Sequence, residues 1–127
     1  MVKYIAVTEN VKVEVRPFFI EQRSNIFEQQ FFFAYFVTIV NNSQDHIQLI
    51  KRHWFIHDEG SDDYEVSGEG VVGEQPIIET DAYYTYNSFC ILKSFEGFME
   101  GSFLMKRANG STFEVEIPRF FLKAYNN

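Results

Sequence analysis

Ser67-Gly68-Glu69-Gly70-Val71-Val72-Gly73-Glu74-Gln75-Pro76 carries three of the chain's seven glycines and one of its three prolines, and its reading decides the fold. The Gly-x-Gly-x-x-Gly spacing is that of a dinucleotide-binding loop. Such a loop needs a strand before the glycines, a helix after them whose N-terminus meets the pyrophosphate, and an acid about 20 positions on. Here Pro76 follows three residues after Gly73, no helical spacing of apolar residues comes next, and Lys93 stands where the acid belongs. The stretch therefore reads as a crossover between two strands, its glycines taking positive φ.

Working outward, every neighbouring segment reads as strand. Val11, Val13 and Val15 alternate with charged residues, the period of a half-buried strand. Residues 31–40 are apolar on both faces, and Asn41 to Asp45 supply turn chemistry. From His46 to His57, Ile50, Trp54 and Ile56 share one face with Arg52 in the same register, which calls for a bulge there or a paired guanidinium. A polar hairpin loop over 58–63 leads to a return strand at Tyr64. Further strands are expected over 82–91 and 98–107. A type I′ turn is expected at Asn109-Gly110, then a strand from Phe113 that Pro118 ends. No window carries the i, i+3, i+4 pattern of an amphipathic helix. About seven strands with turns roughly every ten residues predict an all-β, immunoglobulin/fibronectin type III-like antiparallel β-sandwich, one domain over 1–127.

Composition narrows the function classes. The 127 residues suit a single domain with its own core. The net charge is -7, and residues 55–92 hold Asp58, Glu59, Asp62, Asp63, Glu65, Glu69, Glu74, Glu79 and Asp81 with no Lys or Arg. Such a field repels phosphate backbones and argues against nucleic acid as a partner. Cys90 is the sole cysteine, which fits a reducing cytoplasm. No apolar run is long enough for a membrane span.

Candidate chemistry is sparse. Gly68, Gly70 and Gly73, with Arg52 and His53 arriving from another strand, could hold pyrophosphate or a nucleotide polyphosphate, although Glu69 and Glu74 oppose an anion there. His57, Asp58, Asp62 and Asp63 could supply ligands to a hard divalent ion. His53 and His57 would stand about 13 Å apart on one strand and cannot chelate together. Cys90, beside Phe89 and Ile91, reads as a buried inert thiol. No nucleophile elbow or triad is proposed by the sequence, so no catalytic residue and no cofactor is expected. Fifteen Phe exceed what one small core needs. Adjacent rings at Phe18-Phe19, Phe31-Phe32-Phe33 and Phe120-Phe121 must point to opposite faces, leaving some for a partner surface.

Arg52-His53-Trp54, the run Gly68 to Pro76, Tyr84-Thr85-Tyr86-Asn87-Ser88 with Cys90, Met99-Glu100-Gly101, and Phe113 to Pro118 together resemble the ApaG (CorD) family over residues 10–122. Phe89 departs from the family's usual Gly before the Cys, and Arg119-Phe120 follows Pro118 where the family tends to continue with Pro-Phe. The resemblance implies a fibronectin-type sandwich without established catalysis, a genetic link to cobalt and magnesium homeostasis, and use of the domain as a protein-interaction module. The expectation is thus a non-enzymatic cytoplasmic module that binds an unidentified protein, with a homodimer as one form. The alternative is a small-ligand site at the glycine loop with a divalent metal.

Overall fold

The computed structural model describes residues 2–125, and these form nine strands and two single-turn 3-10 segments. The strands are β1 (Tyr4–Thr8), β2 (Val11–Phe19), β3 (Phe31–Asn41), β4 (Ile47–Asp58), β5 (Tyr64–Glu69), β6 (Ile77–Ile78), β7 (Tyr83–Leu92), β8 (Glu96–Arg107) and β9 (Thr112–Lys123). They make two antiparallel sheets, β1-β2-β3-β7 and β5-β4-β8-β9, with β6 a short extra pairing on β4. The expected sandwich is what forms. No helix among the described residues is long and apolar enough to cross a membrane.

The core lies between the sheets and is built from alternate residues of each strand. Val11, Val13 and Val15 of β2 and Phe33, Tyr35, Val37 and Ile39 of β3 face Leu49, Trp54, Phe103, Met105, Val115 and Phe120. At its centre Trp54 meets Tyr35 at 5.4 Å and Phe120 at 5.8 Å, both with rings near edge-to-face. Edge-to-face contact lets ring edges meet ring faces, adding to the area these large side chains bury.

Two bulges set which residues enter that core. In β4 the register jumps from Leu49 opposite Met105 to Lys51 opposite Leu104, leaving Ile50 unpaired. Buried positions are odd before the bulge (Ile47, Leu49) and even after it (Trp54, Ile56, Asp58). The bulge expected at Arg52 thus falls at Ile50, two residues earlier, and Arg52 shares the inward phase of Trp54 and Ile56. In β9 the strand does not end at Pro118 as expected. A second bulge opposite Glu100 absorbs the proline, which has no N–H to give a ladder, and β9 runs on to Lys123. Ile117 and Pro118 are both buried, and the inward face then continues through Phe120 and Leu122.

The turns also differ from expectation. Gly110 has φ +90° while Asn109 is not among the positive-φ residues. Its N–H donates to Arg107, and Arg107 N–H to Ser111, so the hairpin is a three-residue loop closed by a Gly bulge rather than a type I′ turn. The type I′ geometry occurs instead in the glycine stretch, as described below. β1, β6 and the 3-10 segments Glu21–Arg23 and Ile26–Glu28 had no clear signal in the sequence.

The two sheets close on one side only. β1 and β2 approach β9 across the sandwich, with Glu116 N–H donating to Thr8 Oγ1 at 3.1 Å. On the opposite side β7 and β5 do not come comparably close, and the inward face of β5 overhangs the end of the first sheet. Tyr64 and Val66, in register with Ile56 and Trp54, are therefore 42% and 40% exposed.

Candidate functional site

The glycine stretch is an excursion between β5 and β6, two pieces of one edge strand running along β4. It sits over the β4 bulge, where the carbonyl of Ile50 accepts from Gly70 N–H at 2.8 Å and from Gln75 Nε2 at 2.9 Å. Val71 and Glu74 exchange both backbone hydrogen bonds, at 2.8 and 2.9 Å. The two residues between them, Val72 (φ +43°) and Gly73 (φ +83°), are both left-handed, the hallmark of a type I′ turn. Gly70 is also left-handed, and a Cβ there would overlap the Glu74 carbonyl. The N–H groups of Val71 and Glu74 are thus spent within the loop, and that of Gly70 on the Ile50 carbonyl of β4. The Glu74 carboxylate beside it accepts from the Tyr84 hydroxyl at 2.9 Å.

Gly68 behaves differently. It lies in β5 without positive φ, opposite Arg52, and a Cβ would stand 2.8 Å from both terminal guanidinium nitrogens. Glycine here is the space in which Arg52 lies. The Arg52 Nη1 donates to the carbonyls of Glu69 and Gly70, each at 3.0 Å. The sequence conflict at Arg52 is therefore resolved twice, by a bulge two residues earlier and by a guanidinium bonded to backbone carbonyls.

The other expected site residues separate. His53 points to the opposite face of the sheet from Arg52, its ring nitrogens pairing with Ser67 Oγ at 2.7 Å and Glu65 Oε1 at 2.8 Å. Arg52 and His53 cannot serve one ligand, and only Arg52 reaches the glycines. Of the four expected metal ligands, His57 Nδ1 meets Asp63 Oδ1 at 2.6 Å and its Nε2 meets Glu59 Oε1 at 3.1 Å. Those hydrogen bonds, that to Asp63 first, hold the imidazole pKa above its usual 6.5. Asp58 faces inward instead. It is 3% exposed and accepts from Gly60 N–H, Lys93 N–H and Ser94 Oγ at 2.7–3.0 Å. Asp62 is exposed on the loop. The strand alternation that sends His57 out sends Asp58 in. Among the described residues no three His, Cys, Asp or Glu gather to hold a metal.

What the structure does assemble lies where the sheets splay. Between β5 and β7 is a cleft of about 470 Å³, lined by Tyr35, Arg52, Trp54, Tyr86, Cys90 and Met99, with Tyr64, Val66 and Val72 at its mouth. Burial pushes the Cys90 thiol up to about 11, which makes it the inert thiol expected. A second groove of about 480 Å³ lies along Ile20, Arg23, Phe32, Ala34 and Phe89. In it the Phe32 and Phe89 rings stack at 5.0 Å and Arg23 lies over Phe32 at 4.9 Å. The connection that starts this groove also carries Phe27, which is fully exposed. The only sequence signal for the cleft was Arg52 in register with Trp54; the groove was foreshadowed by the surplus of adjacent phenylalanines.

A family model described as the ApaG domain matches residues 21–107. The chain is 45% identical over 119 residues to protein ApaG of Brucella suis biovar 1 (strain 1330), covering 94% of this chain and 92% of the relative. It is 47% identical over the same length and coverage to protein ApaG of Afipia carboxidovorans. It is also similar to a crystal structure of a Bordetella pertussis protein described as ApaA, at TM-score 0.88 and 35% identity over the whole of both chains.

Proposed function

The chain belongs to the ApaG domain family, and we propose that its role is to bind protein, with a second copy of itself as the first partner. The observation that carries this is Phe27. Its ring is 100% exposed at a short 3-10 segment, although a buried phenylalanine gains roughly 1.5–3 kcal/mol over an exposed one. Ile26 beside it is 39% exposed. The same β2–β3 connection supplies one wall of the Phe32–Phe89 groove. Knob and groove on one chain suit a two-fold dimer in which each copy inserts its Phe27 into the other's groove. The surrounding outer face of the β1-β2-β3-β7 sheet is apolar enough to extend the contact, with Ile5, Val7, Phe36, Phe89 and Ile91 all between 39% and 63% exposed. A cytoplasmic location belongs to the same proposal, supported by the single reduced-type thiol.

Sedimentation from low to high micromolar concentration tests it. The expected result is a monomer–dimer equilibrium that Phe27→Ser shifts at least tenfold toward monomer without altering the fold. A wild-type chain that stays monomeric throughout, or a Phe27→Ser variant that dimerises as well as wild type, overturns it.

A further inference from the structure

The cleft between β5 and β7 has a feature the dimer does not use. Arg52 projects into it from the floor, between the sheets, and no carboxylate among the described residues lies within ion-pairing distance of the guanidinium. Its Nη1 is bonded to two carbonyls, while no described residue accepts from the Nε–Nη2 edge. That edge is the planar fork that takes a carboxylate through two parallel hydrogen bonds. In the same cleft, the Tyr86 hydroxyl is buried in a residue only 9% exposed, and it has no hydrogen-bond partner. An unpartnered buried hydroxyl costs on the order of 1–3 kcal/mol. Retaining one in the same cleft as an arginine without a carboxylate partner marks a place where a third group completes the set.

The rest of the cleft is apolar. Trp54, Met99, Tyr64 and Val66 form the side of the second sheet, and Cys90 lies across from them on β7. A volume of about 470 Å³ is within the range of sites for drug-sized molecules. We propose that this inter-sheet cleft binds a small hydrophobic carboxylate, its anionic end on the Arg52 Nε–Nη2 edge and the Tyr86 hydroxyl, its apolar body between Trp54, Met99 and the overhanging face of β5. The glycine loop's part is indirect. Gly68 leaves the volume in which the guanidinium lies, and the Glu69 and Gly70 carbonyls hold Nη1, leaving the Nε–Nη2 edge for a ligand.

Because Trp54 is the only tryptophan and lines the cleft, its fluorescence reports occupancy without a label. The probes are decanoate and 4-phenylbutyrate, which separate an aliphatic from an aromatic acid, and decanol, which keeps the apolar body without the charge. A saturable change in Trp54 emission with either acid is expected, together with at least tenfold weaker binding of decanol. Arg52→Gln should erase the preference for acid over alcohol, and Tyr86→Phe should weaken the acid several-fold while leaving decanol unchanged. Should Arg52→Gln fail to fold, Tyr86→Phe alone decides. Equal binding of decanol and decanoate, no saturable response to either acid, or a Tyr86→Phe chain that binds acid as wild type does would each overturn the proposal. Phe27→Ser should leave this binding unchanged, so loss of the dimer and loss of the cleft ligand are separate results.

Discussion

Val72 is a β-branched residue held at φ +43° on an exposed turn. Left-handed backbone crowds a Cβ against its own carbonyl and costs about 1–2 kcal/mol for ordinary residues, and the side chain recovers little because it is 58% exposed. Asparagine tolerates that conformation and completes the Asn-Gly pair that type I′ turns favour. Val72→Asn should therefore stabilise the protein by about 1 kcal/mol in urea unfolding; an unchanged or lower midpoint would mean that Val72 makes a compensating contact at the mouth of the cleft. His57 offers a second test at this scale. Its hydrogen bonds to Asp63 and Glu59 favour the protonated ring, so the folded pKa lies above the unfolded value near 6.5. The contribution to stability is fully present below about pH 6.5 and is lost as pH rises through the folded pKa. An NMR titration should place the His57 midpoint above 6.5, with Asp63→Asn lowering it, and a midpoint at or below 6.5 in wild type would refute the assignment.

At the scale of elements, Asp58 fastens the end of β4 to the β7–β8 connection. Its carboxylate accepts from Gly60 N–H within its own hairpin and from Lys93 N–H and Ser94 Oγ across the sheets' end. Removing it leaves three donors without that acceptor, so Asp58→Ala should cost about 2–3 kcal/mol by chemical denaturation, whereas Asp62→Ala on the same loop should change little. A loss below about 0.5 kcal/mol for Asp58→Ala would show that water serves the donors equally well. The comparison explains what the sequence could convey. Valines at period two in β2 and the alternation in β9 read directly as strands, because side-chain period is a local property. The phase of β4 did not, since Ile50 is as apolar as Leu49 before it and its omission from the ladder depends on β8 and on the glycine loop bonded to its carbonyl. Asp58 reads as a metal ligand in sequence for the same reason. Its acidity is visible in sequence; its inward direction, set by the phase after the bulge, is not. Pro118 looked like a terminus because a proline ends a ladder locally, while the bulge that admits it is defined by Glu100 on another strand.

Over the whole molecule the sandwich is asymmetric, shut where β1 and β2 meet β9 and open between β5 and β7. The shut side and the middle carry the large buried rings, Phe33, Phe103 and Phe120 among them. Five of the six residues of β5 are exposed, the exception being Gly68, and even the cleft-facing Tyr64 and Val66 keep 42% and 40% of their surface in solvent. Opening free energy follows buried apolar contact, so edge elements with little of it should separate from β4 well below the global unfolding free energy. Native-state hydrogen exchange should then show the slowest amides in β3, β4 and β8 and markedly faster ones in 64–69, even though β5 is fully paired along one edge with β4. This opening would also govern the cleft, because the overhanging face of β5 forms one of its walls. A bound carboxylate that bridges Arg52 and the β5 face should slow exchange in 64–69 selectively, by mass action on the closed state, and leave β8 and β9 unchanged. Exchange in 64–69 as slow as in β8 without any ligand would show that the open side is as firmly held as the closed one, and the cleft would then be a fixed cavity rather than one that β5 can uncover.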